Sequence, residues 1–220
     1  MARDTRERQR KEAWRQAPQA PTPGPKPHEQ VNLTDEESRI MPIPGGGFEQ
    51  AYNAQAAVDV EMMLVVATGV TQAPNDREQV TPMLATLAAQ SAVLGTVACL
   101  IADTGFSSEQ NILACEAAAI EPLIAVAKTE HHLGWRARFS EPDEILDNAT
   151  PMQKMAHRLK TIDGRARYAK HKQTVESVFG IIKSVLGFRQ FSLHGLQQVT
   201  GEWALVCLAW NVKRMAVLRL

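Results

Sequence analysis

Two runs near the first third of the chain, "QAYNAQAAVD" and "MLVVATGVTQ", alternate or cluster small apolar residues in a β-compatible way and are split by "VEM". They predict an antiparallel hairpin that closes at Pro74, Asn75 and Asp76. The period then changes. "REQVTPMLATLAAQ" sets Val80, Leu84 and Leu87 at helical spacing, and Pro82 is tolerable because it falls in the first turns. "TVACLIAD" is a continuous apolar run closed by an acid, the pattern of a fully buried parallel strand. "TGFSSEQ" supplies a turn and a capping box, Ser107 with Gln110, opening a helix through Ala119, and "EPLIAVA" reads as the next strand. Strand, helix and strand in succession imply a right-handed parallel crossover, so the class is α/β. Residues 128–150 show no period and read as a loop or small insertion. The remainder is helical by pattern, over about residues 151–163, 165–187 and 195–217. Trp203 and Trp210, seven apart on the last of these with Leu196, Val199, Val206 and Leu208 nearby, read as core.

At 220 residues and 45% hydrophobic content the chain can bury a core of ordinary size. Residues 1–31 are the exception: charged, then rich in proline, they cannot repay their ordering entropy and read as a disordered leader. Order is expected from "NLTDEESRIM", with "PIPGGG" as a flexible joint before the first extended segment. The formal net charge is zero, yet the charges are sorted. Residues 31–159 carry seven basic against seventeen acidic side chains, and residues 160–220 carry ten against three. A basic carboxyl-terminal quarter is either a solvated face or the footprint of a phosphate-binding surface. Cys99, Cys115 and Cys207 form no C-x-x-C pair and lie in apolar runs, as reduced buried thiols of a cytosolic protein would. The amino terminus lacks a signal-peptide core, and "SAVLGTVACLIA" is too short to span a bilayer, so no membrane role is expected.

Two acids stand out. Asp103 closes the apolar strand, where open α/β sheets bind ligands, although an acid in "DTG" also serves simply to turn the chain. Glu176 lies in "TVESVFGIIKSVLGF" beside an apolar stripe of Val175, Phe179, Ile182 and Leu186, with Lys172 and Lys183 near its own face. Surface pairing with lysine would account for it, at about 0.2–0.5 kcal/mol per pair. Taken together, a strand-end carboxylate and a helix carboxylate could hold divalent metal ions for phosphodiester chemistry, with a third acid required. His131 and His132 read as loop polarity, and Trp135 between basic residues reads as a loop anchor or a base-stacking side chain.

"LTDEESRIM", "GGFEQAYNAQAAVD", "LIADTGFSSEQN" and "TVESVFGIIKSVLGFRQFSLHGLQQVTGEWALVCLAWNVKRM", in this order and spacing, resemble the carboxyl-terminal part of bacterial insertion-sequence transposases of the Asp-Asp-Glu (DDE) type, over about residues 32–217. The resemblance implies a ribonuclease H-like mixed sheet with flanking helices and catalytic acids on the first strand, the end of the fourth strand and a later helix. It gives Asp103 the second role and Glu176 the third, both as ligands of Mg²⁺ or Mn²⁺, and the spacing from Glu176 to Lys183 agrees with the family's signature. Tyr168, Lys172, Lys183 and Arg189 would contact DNA phosphates. A homo-oligomer acting on transposon ends and target DNA, nucleoid-associated in a bacterial cytoplasm, is implied as well.

In the family the first acid lies upstream of "NLTDEESRIM", and residues 1–31 hold no apolar run to serve as its strand. The expectation is therefore a partial catalytic domain, residues 32–220, truncated and lacking the central first strand, and inactive alone. Asp59 falls at the wrong edge, Asp76 would lie about three strand spacings of ~4.8 Å from Asp103 in a sheet of order 3-2-1-4-5, and Asp35, in a linker, stays a candidate for the first acid. His171, Ser177 and His194 replace the family's usual arginine, proline and arginine, with Lys172 next to the first of them. The alternatives are a non-catalytic DNA-binding or dimerising fragment that modulates a full-length transposase, or an unstable remnant.

Overall fold

The computed structural model describes residues 32–43, 45–126, 140–145 and 148–219. The leader, His131, His132 and Trp135 lie outside the described residues, as does most of the insertion. The first element corrects an expectation. "PIPGGG" is no joint but the turn of a hairpin, in which β1 (Arg39–Pro42) pairs antiparallel with β2 (Phe48–Ala51). Gly45, Gly46 and Gly47 all take φ of 96–98°, a region side chains rarely enter, and this lets the chain reverse there.

The second hairpin forms as the alternation requires, β3 (Asn53–Val58) against β4 (Val65–Thr71), with Asp59 accepting the Glu61 and Met62 N–H groups in its turn. Helix α1 (Val80–Ala89) follows, then one turn, α2 (Ser91–Leu94). Strand β5 (Cys99–Ala102) pairs parallel with β6 (Glu121–Ile124) across α3 (Glu109–Ala117). The cap of α3 is Ser108 rather than Ser107, because a 3-10 turn, Thr104–Phe106, uses one more residue than the capping box allowed. Helices α4 (Pro151–Arg158), α5 (Ile162–Ser184) and α6 (Leu196–Leu218) complete the chain. The break before α5 falls at Thr161, whose side chain caps the new helix by accepting the Gly164 N–H.

The strands do not join into one mixed sheet. Among the described residues they form three two-stranded ladders, and no strand is hydrogen-bonded to both β3 and β5. Strand β5 is accordingly less buried than a fully covered parallel strand. Only Ala102 is buried on it, whereas Leu123 and Ile124 of β6 are wholly enclosed.

Two cores result. In the larger, Ala54, Ala56, Val58 and Val65 of the second hairpin meet Val178, Ile182, Trp203, Cys207 and Trp210 of α5 and α6. The two indoles also donate to backbone carbonyls, Trp203 to Gln55 and Trp210 to Met63, each at 2.8 Å. In the smaller, Val80, Leu84 and Cys115 pack with Leu100, Phe106 and Ile120. All three thiols are free, and burial pushes Cys115 up to about 11 and Cys207 up to about 12, so neither ionises near neutrality.

Candidate functional site

Asp103 leaves β5 at its carboxyl end and is exposed. Its Oδ1 accepts the Gly105 N–H at 2.7 Å, so this carboxylate does turn the chain while a second oxygen remains outside that bond. Glu176 is exposed on α5, and among the described side chains it has no ion pair. The half-buried Tyr168, two turns earlier on α5, connects them. Burial pushes its phenol up first, and negative charge from both Asp103 and Glu176 adds to the shift. Both carboxylates therefore act on one ring. Tyr168 stacks on His171 with centroids 5.8 Å apart, an imidazole–phenol shelf on α5.

Charge holds the amino-terminal part of α5 at the opposite end of the ladder, where β6 begins beside Cys99. Glu121 of β6 takes Arg167 Nη2 at 2.7 Å and Arg158 Nε at 3.6 Å, and Arg158 Nη1 donates to the Pro122 carbonyl at 2.9 Å. The Glu121 hydrogen bond is the main reason the Arg167 guanidinium binds its proton more tightly than usual.

Asp76 is not remote from Asp103. A Cβ on Gly105 would sit 3.0 Å from both Asp103 Oδ1 and Asp76 Oδ2, so these oxygens are at most twice that distance apart and a side chain at 105 would press on both. The reason is the path of the chain after β4. Instead of running outward, it folds back across the end of β3, where Asn53 Nδ2 and Gln55 Nε2 each donate to Asp76 Oδ1 at 2.7 Å. Asn111, 2% exposed, closes the connection by donating to the carbonyls of Arg77 and Phe106 at 2.7 Å. Sequence reasoning missed this contact. Its signal was two amide side chains on one face of an otherwise alanine-rich strand.

Asp35 has a structural partner instead. The Tyr52 hydroxyl donates to its two oxygens at 2.8 and 2.9 Å, and the Glu37 and Gly195 N–H groups donate at 3.2 and 3.3 Å. Glu37 Oε2 accepts the Leu196 N–H at 2.6 Å, placing an anion at the amino end of α6. The "TDEES" stretch thus straps the start of the last helix.

Lys183 and Arg189 are exposed and line a cavity of about 700 Å³ together with Asp76, Phe179 and His194. Asp103 and Glu176 lie outside that cavity's lining, and Asp76 is the acid that adjoins both regions. Lys172 lies on α5, but its side chain is outside the described residues.

Residues 20–212 match the family model described as the transposase DDE domain. The chain belongs to that family. No curated protein and no solved structure matches it. A transposase domain calls for oxygen ligands to a divalent metal, and Asp103 and Glu176 are acceptor-only, exposed carboxylates of the kind Mg²⁺ and Mn²⁺ prefer. Among the described residues, no three histidine, cysteine or acidic side chains are grouped as a metal site. No described helix is long and apolar enough to cross a membrane.

Proposed function

We propose that the chain is a DNA-transposition domain of ribonuclease H-like ancestry, in which Asp103 and Glu176 are two of the carboxylates that hold Mg²⁺ or Mn²⁺. The observation that carries this is the match of residues 20–212 to the transposase DDE domain, in a chain where Asp103 ends β5 and Glu176 lies on α5, the helix packed against that strand. The bound ion would activate water or a 3′ hydroxyl and neutralise charge on the phosphodiester. The chain's own residues supply the rest. Tyr168 offers a hydroxyl and an aromatic face to the backbone, and Lys183 and Arg189 offer exposed cations for phosphate, with Lys172 a further candidate by its place in the sequence. Arg167, paired to Glu121, holds the amino-terminal part of α5 against the start of β6.

The family's set has a third acid, and Asp76, although beside Asp103, already holds the Asn53 and Gln55 amides, so the 220-residue chain alone is inactive in this reading and works on DNA as a homo-oligomer or beside a complete enzyme. Mn²⁺ titration followed by paramagnetic broadening tests the site without requiring turnover. The amides around Asp103 and Glu176 should broaden together, and Asp103→Ala should release both. Broadening at one acid without the other defeats the shared site. Robust Mg²⁺-dependent cleavage of DNA by this chain, lost in Asp103→Ala, would disprove the inactivity.

A second reading is a non-catalytic DNA-binding module. It is favoured by exposed Lys183 and Arg189 beside a large cavity. It predicts salt-dependent DNA binding that survives loss of both acids, with a salt slope reduced by about one for each phosphate-contacting cation removed.

A further inference from the structure

Helix α6 has two apolar faces. Val199, Trp203, Cys207 and Trp210 are buried on one. Leu205, Leu208, Val212 and Met215, which are 67%, 56%, 60% and 42% exposed, occupy the other. These four recur at intervals of three, four and three residues, the a and d spacing of a heptad, with Gly201 and Arg219 continuing the register at either end. A helix apolar on both sides is normally covered on both sides. The positions flanking the exposed seam include Ala204, Ala209 and Ala216, small and uncharged, and nothing lies within 4 Å of a Cβ placed on Gly201.

We propose that this seam pairs antiparallel with the same seam of a second copy. Antiparallel packing sets each a position against a d position. Leu205 meets Met215 of the other copy, Leu208 meets its Val212, and the two-fold axis repeats both layers, closing the interface on itself. Charge chooses the direction. Glu202, whose carboxylate accepts the Ser192 and Leu193 N–H groups of its own chain and keeps its negative charge, lies at the amino end of the seam and Arg219 at the carboxyl end, so antiparallel helices bring opposite charges together at both ends, whereas parallel helices set like against like. The flanking alanines put no like-charge repulsion between identical copies. The seam is short, about 15 Å from Leu205 to Met215 at ~1.5 Å per residue, smaller than a standard interface, so the dimer is weak, with Kd on the order of micromolar. The pairing specifies the surface of the homo-oligomer proposed above and needs no assumption about catalysis.

Sedimentation equilibrium of the 220-residue chain from about 1 to about 100 μM tests it. The dimer fraction should rise with concentration, and Leu208→Glu or Val212→Glu should weaken it by at least about tenfold while leaving the circular dichroism unchanged. Val93→Glu, at an apolar side chain 89% exposed but off this helix, should leave the dimer intact. In oxidising buffer Ala209→Cys should cross-link to its own copy across the two-fold, and Leu205→Cys should not. A monomer at every concentration overturns both the pairing and the homo-oligomer. A dimer indifferent to Leu208→Glu, or joined through Leu205→Cys, overturns the antiparallel seam alone.

Discussion

The sheet of β3 and β4 is held to α6 by indoles that both fill space and bond to backbone, whereas the sheet of β5 and β6 is held to α1 and α3 by a small cluster. In the first region Trp203 and Trp210 reach the Gln55 and Met63 carbonyls, and Asn211 brackets Val65 by accepting its N–H and donating to its C=O, each at 2.8 Å. In the second, Val80, Leu84 and Cys115 are the buried members of the cluster, and Asn111 is the buried amide that ties the turns together. Asp103 belongs to the thinner region, while Glu176 rides on a helix whose carboxyl-terminal half packs into the thicker one. The placement of one acid against the other thus depends on a few polar connections: Glu121 with its two arginines, and Asp76 with Asn53 and Gln55. Strong packing fixes one side of the candidate site, and hydrogen bonds position the other.

The largest break in this contrast comes from the indoles. Trp203→Ala should cost about 3–5 kcal/mol and unfold the chain as a whole, because it opens a cavity and abandons a buried carbonyl. Leu84→Ala should cost less, about 2–3 kcal/mol. Hydrogen exchange should show its effect confined to α1, α3, β5 and β6, with β3, β4 and α6 still protected. Uniform loss of protection in Leu84→Ala would mean that the two regions are one cooperative unit and that the contrast is false.

A smaller effect is expected where the two regions touch. Asp76→Ala removes the acceptor shared by Asn53 and Gln55 and should cost about 1–3 kcal/mol. Exchange should quicken at Gly105 and Phe106 more than in α6. In a double-mutant cycle with Gln55→Ala the pair should couple by more than about 0.5 kcal/mol, and simple additivity would remove Asp76 from the connection.

Most of the elements were legible in the chain because their signals are local. The hairpin of β3 and β4, helix α1, the β5–β6 crossover and the long final helices follow from period and from capping residues within a few positions. What stayed hidden depends on the route of loops. The first hairpin hid in three glycines that read equally well as a joint, and Asp76 was placed by extrapolating along β4, whereas amides on β3 draw it back. Trp203 and Trp210 are core as their spacing implies, whereas their neighbour Leu208 is 56% exposed, since period alone does not say which of two apolar faces meets the sheet. Asp103 and Glu176 were found as chemically suggestive positions. Their common neighbour Tyr168 could be seen only once α5 lay against β5.

The smallest expected effect concerns pH and the strap on α6. Burial alone would push the Asp35 carboxyl up, but the Tyr52 hydroxyl, the Gly195 and Glu37 N–H groups and the charge of His194 more than offset it, so the folded value lies below the ordinary 3.8. A carboxyl depressed by folding contributes stability that is complete above its unfolded value and is lost as pH falls through the lower folded value. Asp35 should therefore have no influence on the slope of stability against pH near neutrality and should steepen the loss of stability below about pH 4. Asp35→Asn keeps the shape, weakens the bonds from Tyr52 and Gly195, and should lower stability at pH 7 by no more than about 1–2 kcal/mol. The difference between variant and parent should shrink as the pH is lowered from 4 towards 2, because the parent carboxylate is then protonated as well. Urea titrations across that range would read it directly. A gap that persists unchanged at the acid end would mean that the strap holds α6 through shape rather than charge, and Tyr52→Phe should then match the Asp35→Asn loss at every pH.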